Sequence, residues 1–165
     1  MIRTLIPLLL ISAVTPEARA QFDESAFRQA LKVKRDVYLA EGAISGGDRL
    51  VSDVKVTNVR IAANPAGFDR VVVDFSKAER PPFFLVENDP SNRRVNITLY
   101  GRIKTDFSTQ SAMQAARKTR TLSAVDFLPM VEADRWMFIL ASKKAMKTEV
   151  FELSSPARLI IDLKP

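Results

Sequence analysis

The chain has 165 residues and contains neither cysteine nor histidine. Without cysteine there is no disulfide, no thiolate nucleophile and no residue for lipid attachment at a processed N-terminus. Without histidine most zinc-site designs disappear, and so does every nucleophile–histidine dyad. Glycine is scarce, and three of the 5 glycines cluster at Gly42, Gly46 and Gly47. There is a single tryptophan, Trp136. After residue 20 no apolar run approaches the roughly 20 residues that span a bilayer as a helix.

The composition that remains is ordinary for a globular protein, with 47% apolar and 27% charged residues. Its length suits one domain with a short extension. Residues 1–20 have the pattern of a secretory signal. Arg3 gives a basic start, Leu5 to Val14 are mostly apolar, and Ala18-Arg19-Ala20 offers a small-x-small cleavage site. The expected mature start is Gln21, with the mature chain exported and soluble. The formal charge of +6 would fall by one, since the signal carries two arginines and one glutamate. A modest positive excess suits an anionic partner but equally serves solubility. For an exported chain that partner is a wall polymer or a membrane surface, and nucleic acid is not expected.

The rest of the sequence is organised by an internal duplication. Residues 67–100 read G-F-D-R-V-V-V-D-F-S, P-F-F-L-V-E-N and D-P-S-N-R-R-V-N-I-T-L-Y. Residues 133–165 repeat the plan with A-D-R-W-M-F-I-L-A-S, T-E-V-F-E-L and S-P-A-R-L-I-I-D-L. Asp69-Arg70 matches Asp134-Arg135, and Pro90 then Arg94 matches Pro156 then Arg158. Two copies at this spacing point to halves sharing one core, not to a solenoid. A further strand leads each half. In Val54–Ile61 the apolar residues change parity between Val56 and Val59, so a bulge or bend is expected near Thr57-Asn58. Leu122–Leu128 changes parity in the same way. Asp89-Pro90-Ser91-Asn92 has the chemistry of a turn. Val95, Ile97 and Leu99 should point inward, as should Leu159, Ile161 and Leu163. Trp136, Phe138 and Leu140 share one face of a strand that is apolar on both faces, which predicts a central strand and a core tryptophan. About eight short strands separated by turns predict an all-β sandwich of two duplicated halves.

Two helices are expected beside the strands. Phe22 to Glu41 carries Phe27, Ala30, Leu31 and Tyr38 near one helical face, with the glycines at 42, 46 and 47 ending it in a flexible link. Residues 21–50 therefore read as an N-terminal arm or helix, and 51–165 as the sandwich. Gln110–Lys118 reads as a short helix linking the halves. Ala112, Met113 and Ala116 lie on one side, Ser108 or Thr109 caps it, and Arg117 and Lys118 suit its C-terminus.

The D-R-V-V-V-D-F segment, followed in order by the Arg-Leu-Ile-Ile-Asp-Leu ending, resembles the AMIN domain family. The resemblance covers roughly Val54 to Pro165, with Arg70, Arg158 and Asp162 at matching positions. AMIN domains occur beside bacterial cell-wall amidases and in secretins. The resemblance implies a small duplicated β-sandwich in the periplasm that binds peptidoglycan without catalysis and without a cofactor. No amidase or secretin segment follows here, so the domain is expected to stand nearly alone. The alternative function is that of a structural accessory subunit in an envelope machine, such as a pilus or secretin complex, docking by a sheet edge onto another envelope protein.

Candidate ligand-binding residues follow from the same segments. Arg70, Arg94, Arg135 and Arg158 open strands at corresponding places in the two halves, and guanidinium forks suit the carboxylates of wall peptides. Each also has a structural explanation in cross-strand pairing with Asp69, Asp74, Asp134 or Asp162. Tyr100, Phe68 and Phe107 sit near turns, where an exposed ring suits sugar stacking. Ser52-x-x-Lys55 matches a penicillin-binding motif by spacing, but it enters a strand instead of opening a helix and no Lys-Thr-Gly accompanies it. Asn96-Ile97-Thr98 is a glycosylation sequon by pattern within a buried strand. Glu132, Asp134, Glu149 and Glu152 are too scattered to make a glycosidase pair.

Overall fold

The computed structural model describes residues 36–129 and 134–165. The segment read as a secretory signal and most of the expected N-terminal helix lie outside those residues. Among the described residues, ten strands form two five-stranded sheets, and one helix packs beside them. Sheet I runs in the order β1 (Gly42–Gly46), β4 (Phe84–Asp89), β5 (Arg94–Tyr100), β8 (Arg135–Ser142) and β7 (Leu122–Phe127). Sheet II runs in the order β6 (Arg102–Thr105), β2 (Asp53–Ala63), β3 (Asp69–Ser76), β10 (Arg158–Lys164) and β9 (Lys147–Leu153). This is the expected all-β sandwich.

The duplicated halves do not each build one sheet. Each half puts two of its strands into either sheet, and the halves meet at the centre of both. β3 of the first half pairs with β10 of the second, and β5 of the first pairs with β8 of the second. All four central strands are therefore paired along both edges. The two central pairings are not equivalent in register. Arg70 stands opposite Asp162, yet Arg135 stands opposite Tyr100 instead of Thr98, its counterpart by the duplication. The offset is two residues, and a shift of two leaves each side chain on its own face.

The core lies between the sheets and follows the period-two pattern. Val95, Ile97, Leu99, Leu159, Ile161 and Leu163 are fully buried. β2 places Val54 and Val56 inward before its register shift and Val59 and Ile61 inward after it. The bulge lies between Val56 and Asn58, where the change of parity requires it. β7 shifts likewise between Leu122 and Ala124, so that Leu122 and Val125 are both buried. Trp136 is 4% exposed on the central strand β8 and stacks parallel to Phe127.

The two open sides of the sandwich are closed differently. On one side helix α1 (Thr109–Arg117) packs against β7 and β2. The Ser108 side chain caps it by accepting the Ser111 N–H at 3.2 Å. Its buried residues, Ala112 and Ala116, are small enough to let the backbone approach the sheets. Asp69 is buried and accepts the Thr121 N–H at 2.6 Å, tying the end of this connection to β3.

On the other side the chain between Asp36 and Asp48 corrects the expected flexible link and the last residues of the expected helix, whose remainder lies outside the described residues. Tyr38 and Leu39 are not helical; Leu39 exchanges two backbone hydrogen bonds of 2.8 Å with Thr148 of β9. The chain then crosses to sheet I and pairs with β4 as β1. The buried amide of Asn88 donates to the Leu39, Ala40 and Met146 carbonyls and fastens the crossing. The glycines serve close approach here. A Cβ on Gly46 would lie 2.7 Å from the Phe84 ring, and one on Gly47, at φ +80°, would lie 2.1 Å from the Pro82 carbonyl oxygen.

The second strand beyond the expected eight, β6, has one buried side chain, Ile103. So little alternation leaves no strand signal in the sequence. It runs parallel to β2, and its exposed Arg102 and Lys104 guard the sheet edge.

Candidate ligand-binding site

Five residues were expected to contact a ligand: Arg70, Arg94, Arg135, Arg158 and Tyr100. The fold distributes them over two outer faces. Arg70 and Arg158 alternate with the inward residues of β3 and β10, so they lie on the outside of sheet II. Arg94, Arg135 and Tyr100 do the same on sheet I. Tyr100 and Arg135 are neighbours at one end of that sheet, and Arg94 is at the other. The five residues therefore make no single pocket.

Arg70 is a structural residue. Its Nε and Nη2 donate to the two carboxylate oxygens of Asp162 at 2.7 and 2.8 Å. Asp162 is completely buried, and the Arg70 side chain is 33% exposed. The hydrogen bonds to Asp162 raise the Arg70 pKa above its usual value, against the opposing pull of burial. The guanidinium also lies 5.2 Å from the Phe68 ring centroid and 5.5 Å from that of Phe151. Such a fork, engaged on both oxygens and flanked by rings, has little left to offer a ligand.

Arg158 differs. Across the strand it faces Asp74, but Asp74 is already held bidentately by Arg60 at 2.7 and 2.8 Å. The Arg158 Nε is buried with no hydrogen-bond partner. Buried donors are almost always paired, so an orphan of this kind requires an explanation. Arg94, the counterpart of Arg158 in the first half, is exposed at the start of β5. Its cross-strand neighbour Asp89 is engaged in the following turn, where it accepts the Asn92 N–H at 3.0 Å and the Asn92 side-chain amide at 2.7 Å. Those two bonds are the main reason that the Asp89 pKa is lowered. Arg94 adds a smaller electrostatic contribution to the same lowering, but among the described residues neither Arg94 nor Arg158 forms a salt bridge.

The aromatic expectations divide. Phe68 is buried, and Phe107 packs edge-on against Phe127 and Trp136, so neither offers a free ring. Tyr100 lies half-buried on the outer face beside Phe83, with ring centroids 5.3 Å apart. Phe83 was missed in the sequence, because Phe83 to Glu87 reads as apolar on both faces and nothing local says which face is open. Arg49, which stacks on Phe83 at 4.0 Å, was missed as well. It sits in a segment that has no strand period. Ser52 lies in an exposed, extended stretch just before β2, so the Ser-x-x-Lys spacing has none of the helical context of a nucleophile.

No helix among the described residues is long and apolar enough to cross a membrane. No protein-family model matches the chain, and no curated protein matches it in sequence.

Proposed function

We propose that this protein is a non-catalytic periplasmic module of the AMIN type that binds peptidoglycan and holds itself at the cell wall. The observation that carries the proposal is the pairing of Arg94 with Arg158. The duplication puts one of them on the outer face of each sheet, and neither forms a salt bridge among the described residues, because Asn92 engages Asp89 opposite Arg94 and Arg60 engages Asp74 opposite Arg158. Arg70, on the same outer face of sheet II as Arg158, is neutralised by Asp162. Two cations on opposite faces suit a repeating, carboxylate-bearing polymer met on both sides of the domain. Each contact is worth only about 0.2–1 kcal/mol when exposed. Two contacts on one polymer act together, because the second forms at high effective concentration.

Cosedimentation of the protein with purified sacculi tests the proposal. Retention should fall as salt rises, since the Debye length is about 8 Å at physiological ionic strength and shorter above it. Arg94→Ala plus Arg158→Ala should lower retention more than either change alone, with the circular dichroism spectrum unchanged. Arg70 is unsuitable for this comparison, because its removal strands a buried carboxylate. If the double variant is retained like the parent, the two arginines do not bind the wall. If the parent ignores sacculi at every salt concentration, the wall-binding reading falls and the accessory-subunit reading replaces it.

A further inference from the structure

A second surface stands apart from Arg94 and Arg158. Phe83, just before β4, lines up with Tyr100 of β5 and Arg135 of β8 at one end of the outer face of sheet I. Next to them opens a cleft of about 390 Å³ lined by Arg49, Val51, Ser52, Phe83, Tyr100 and Gly101. Its shape depends on Gly101, where β5 turns into β6 at φ +115°. A Cβ there would lie 2.9 Å from the Ser52 carbonyl oxygen, the same atom that accepts the Arg102 N–H at 2.6 Å. The cleft is thus built into the corner where the chain passes from one sheet to the other.

Three kinds of group converge on it. Phe83 and Tyr100 provide two rings inclined at 41°. Ser52 and Tyr100 provide hydroxyls. Arg49 provides a guanidinium that the Phe83 face holds at 4.0 Å, with no acidic partner among the described residues. A guanidinium braced on a ring loses little further freedom when it engages a carboxylate. A plain hydrocarbon would leave the guanidinium and hydroxyls unused, and a small anion would leave the rings unused. A pyranose with a carboxylate substituent uses all of them: its apolar face meets the Tyr100 ring beside Phe83, its hydroxyls meet Ser52, and its carboxylate meets Arg49, which stays braced on Phe83.

We propose that the Arg49–Phe83–Tyr100 cleft is a binding site for a carboxylate-bearing sugar ring. The choice of a sugar rests on the wall-binding reading, which this inference deepens by naming the part of the polymer that is recognised, a ring whose acidic group is free because its peptide has been removed. The site itself rests on its own geometry.

The test is a nuclear magnetic resonance titration of the protein with two sugars that differ in the acidic group, N-acetylmuramic acid and N-acetylglucosamine. Each is taken to about 20 mM, enough to load a millimolar site. The acidic sugar should shift the Phe83 and Tyr100 ring signals, and the neutral one should bind about 2–5-fold more weakly, as befits one exposed charge pair. Arg49→Gln, a change at an exposed side chain, should abolish that difference. Absence of ring shifts with both sugars overturns the site. A preference for the acidic sugar that survives Arg49→Gln overturns the role of Arg49. Sacculus retention without ring shifts would leave the Arg94–Arg158 reading standing and remove the cleft. Ring shifts in a protein that ignores sacculi would do the reverse.

Discussion

Replacing Arg70 should destabilise the fold far more than replacing a surface arginine does. Asp162 is fully buried and its two oxygens accept both arms of the Arg70 fork. Arg70→Met keeps most of the aliphatic stem but leaves a carboxylate in the sheet without its cation. Breaking one side of a buried pair costs about 3–5 kcal/mol, and the partial exposure of Arg70 places this case near the low end, at about 3 kcal/mol. Removing both partners should be much cheaper. The neighbouring row on the same face carries Val72 and Ile160, which are buried, so an apolar pair can join it. Arg70→Met combined with Asp162→Leu should therefore cost less than about 1 kcal/mol. The assay is urea unfolding followed by the fluorescence of Trp136, the only tryptophan and a core residue. Its midpoint and slope give the free energy directly. A single-variant loss below about 0.5 kcal/mol, the range of ordinary surface changes, would show that water already screens the pair. A double variant that costs as much as the two singles together would show that the charges are not coupled.

Two further outcomes are expected. Gly47→Ala should cost clearly more than Gly67→Ala: both glycines have positive φ, so both substitutions carry about 1–2 kcal/mol of backbone strain, but only at Gly47 does the new methyl meet backbone atoms. Equal losses in urea unfolding would show that the chain before β4 gives way, and that β1 is not firmly held. The second outcome concerns acid. The hydrogen bonds from Asn92 lower the Asp89 pKa below its usual 3.8, so the folded state binds this proton less readily than the unfolded chain. The resulting stabilisation is present above 3.8 and is lost as pH falls through the lowered value. Asp89→Asn should flatten the stability profile on the acid side of about pH 4 and leave the shape near neutrality unchanged. An unaltered acid limb would mean that the Asn92 bonds do not form in solution.

Several features were legible in the residues alone, because they depend on near neighbours in the chain. A strand's side chains alternate whatever it pairs with, so Val95, Ile97 and Leu99 declared their inward phase, as did Leu159, Ile161 and Leu163. The parity break between Val56 and Val59 required an extra residue, and the bulge lies there. Aspartate, proline and asparagine at 89–92 carry their turn in their own hydrogen bonds. The cap of α1 is local in the same sense. What depends on distant pairing was legible only as a set of candidates, with Asp162 one of four carboxylates that could pair with the strand-opening arginines. Arg70 and Asp162 are 92 residues apart, and only the meeting of β3 with β10 makes one the counter-ion of the other. The same pairing, with Arg60 occupying Asp74, is what leaves the Arg158 Nε without a hydrogen-bond partner among the described residues. β1 and β6 are strands because each lies along an open sheet edge that offers backbone hydrogen bonds, and backbone groups leave no mark in the order of side chains. The cleft beside Arg49, Phe83 and Tyr100 arises the same way: three segments meet at a corner that no one of them encodes.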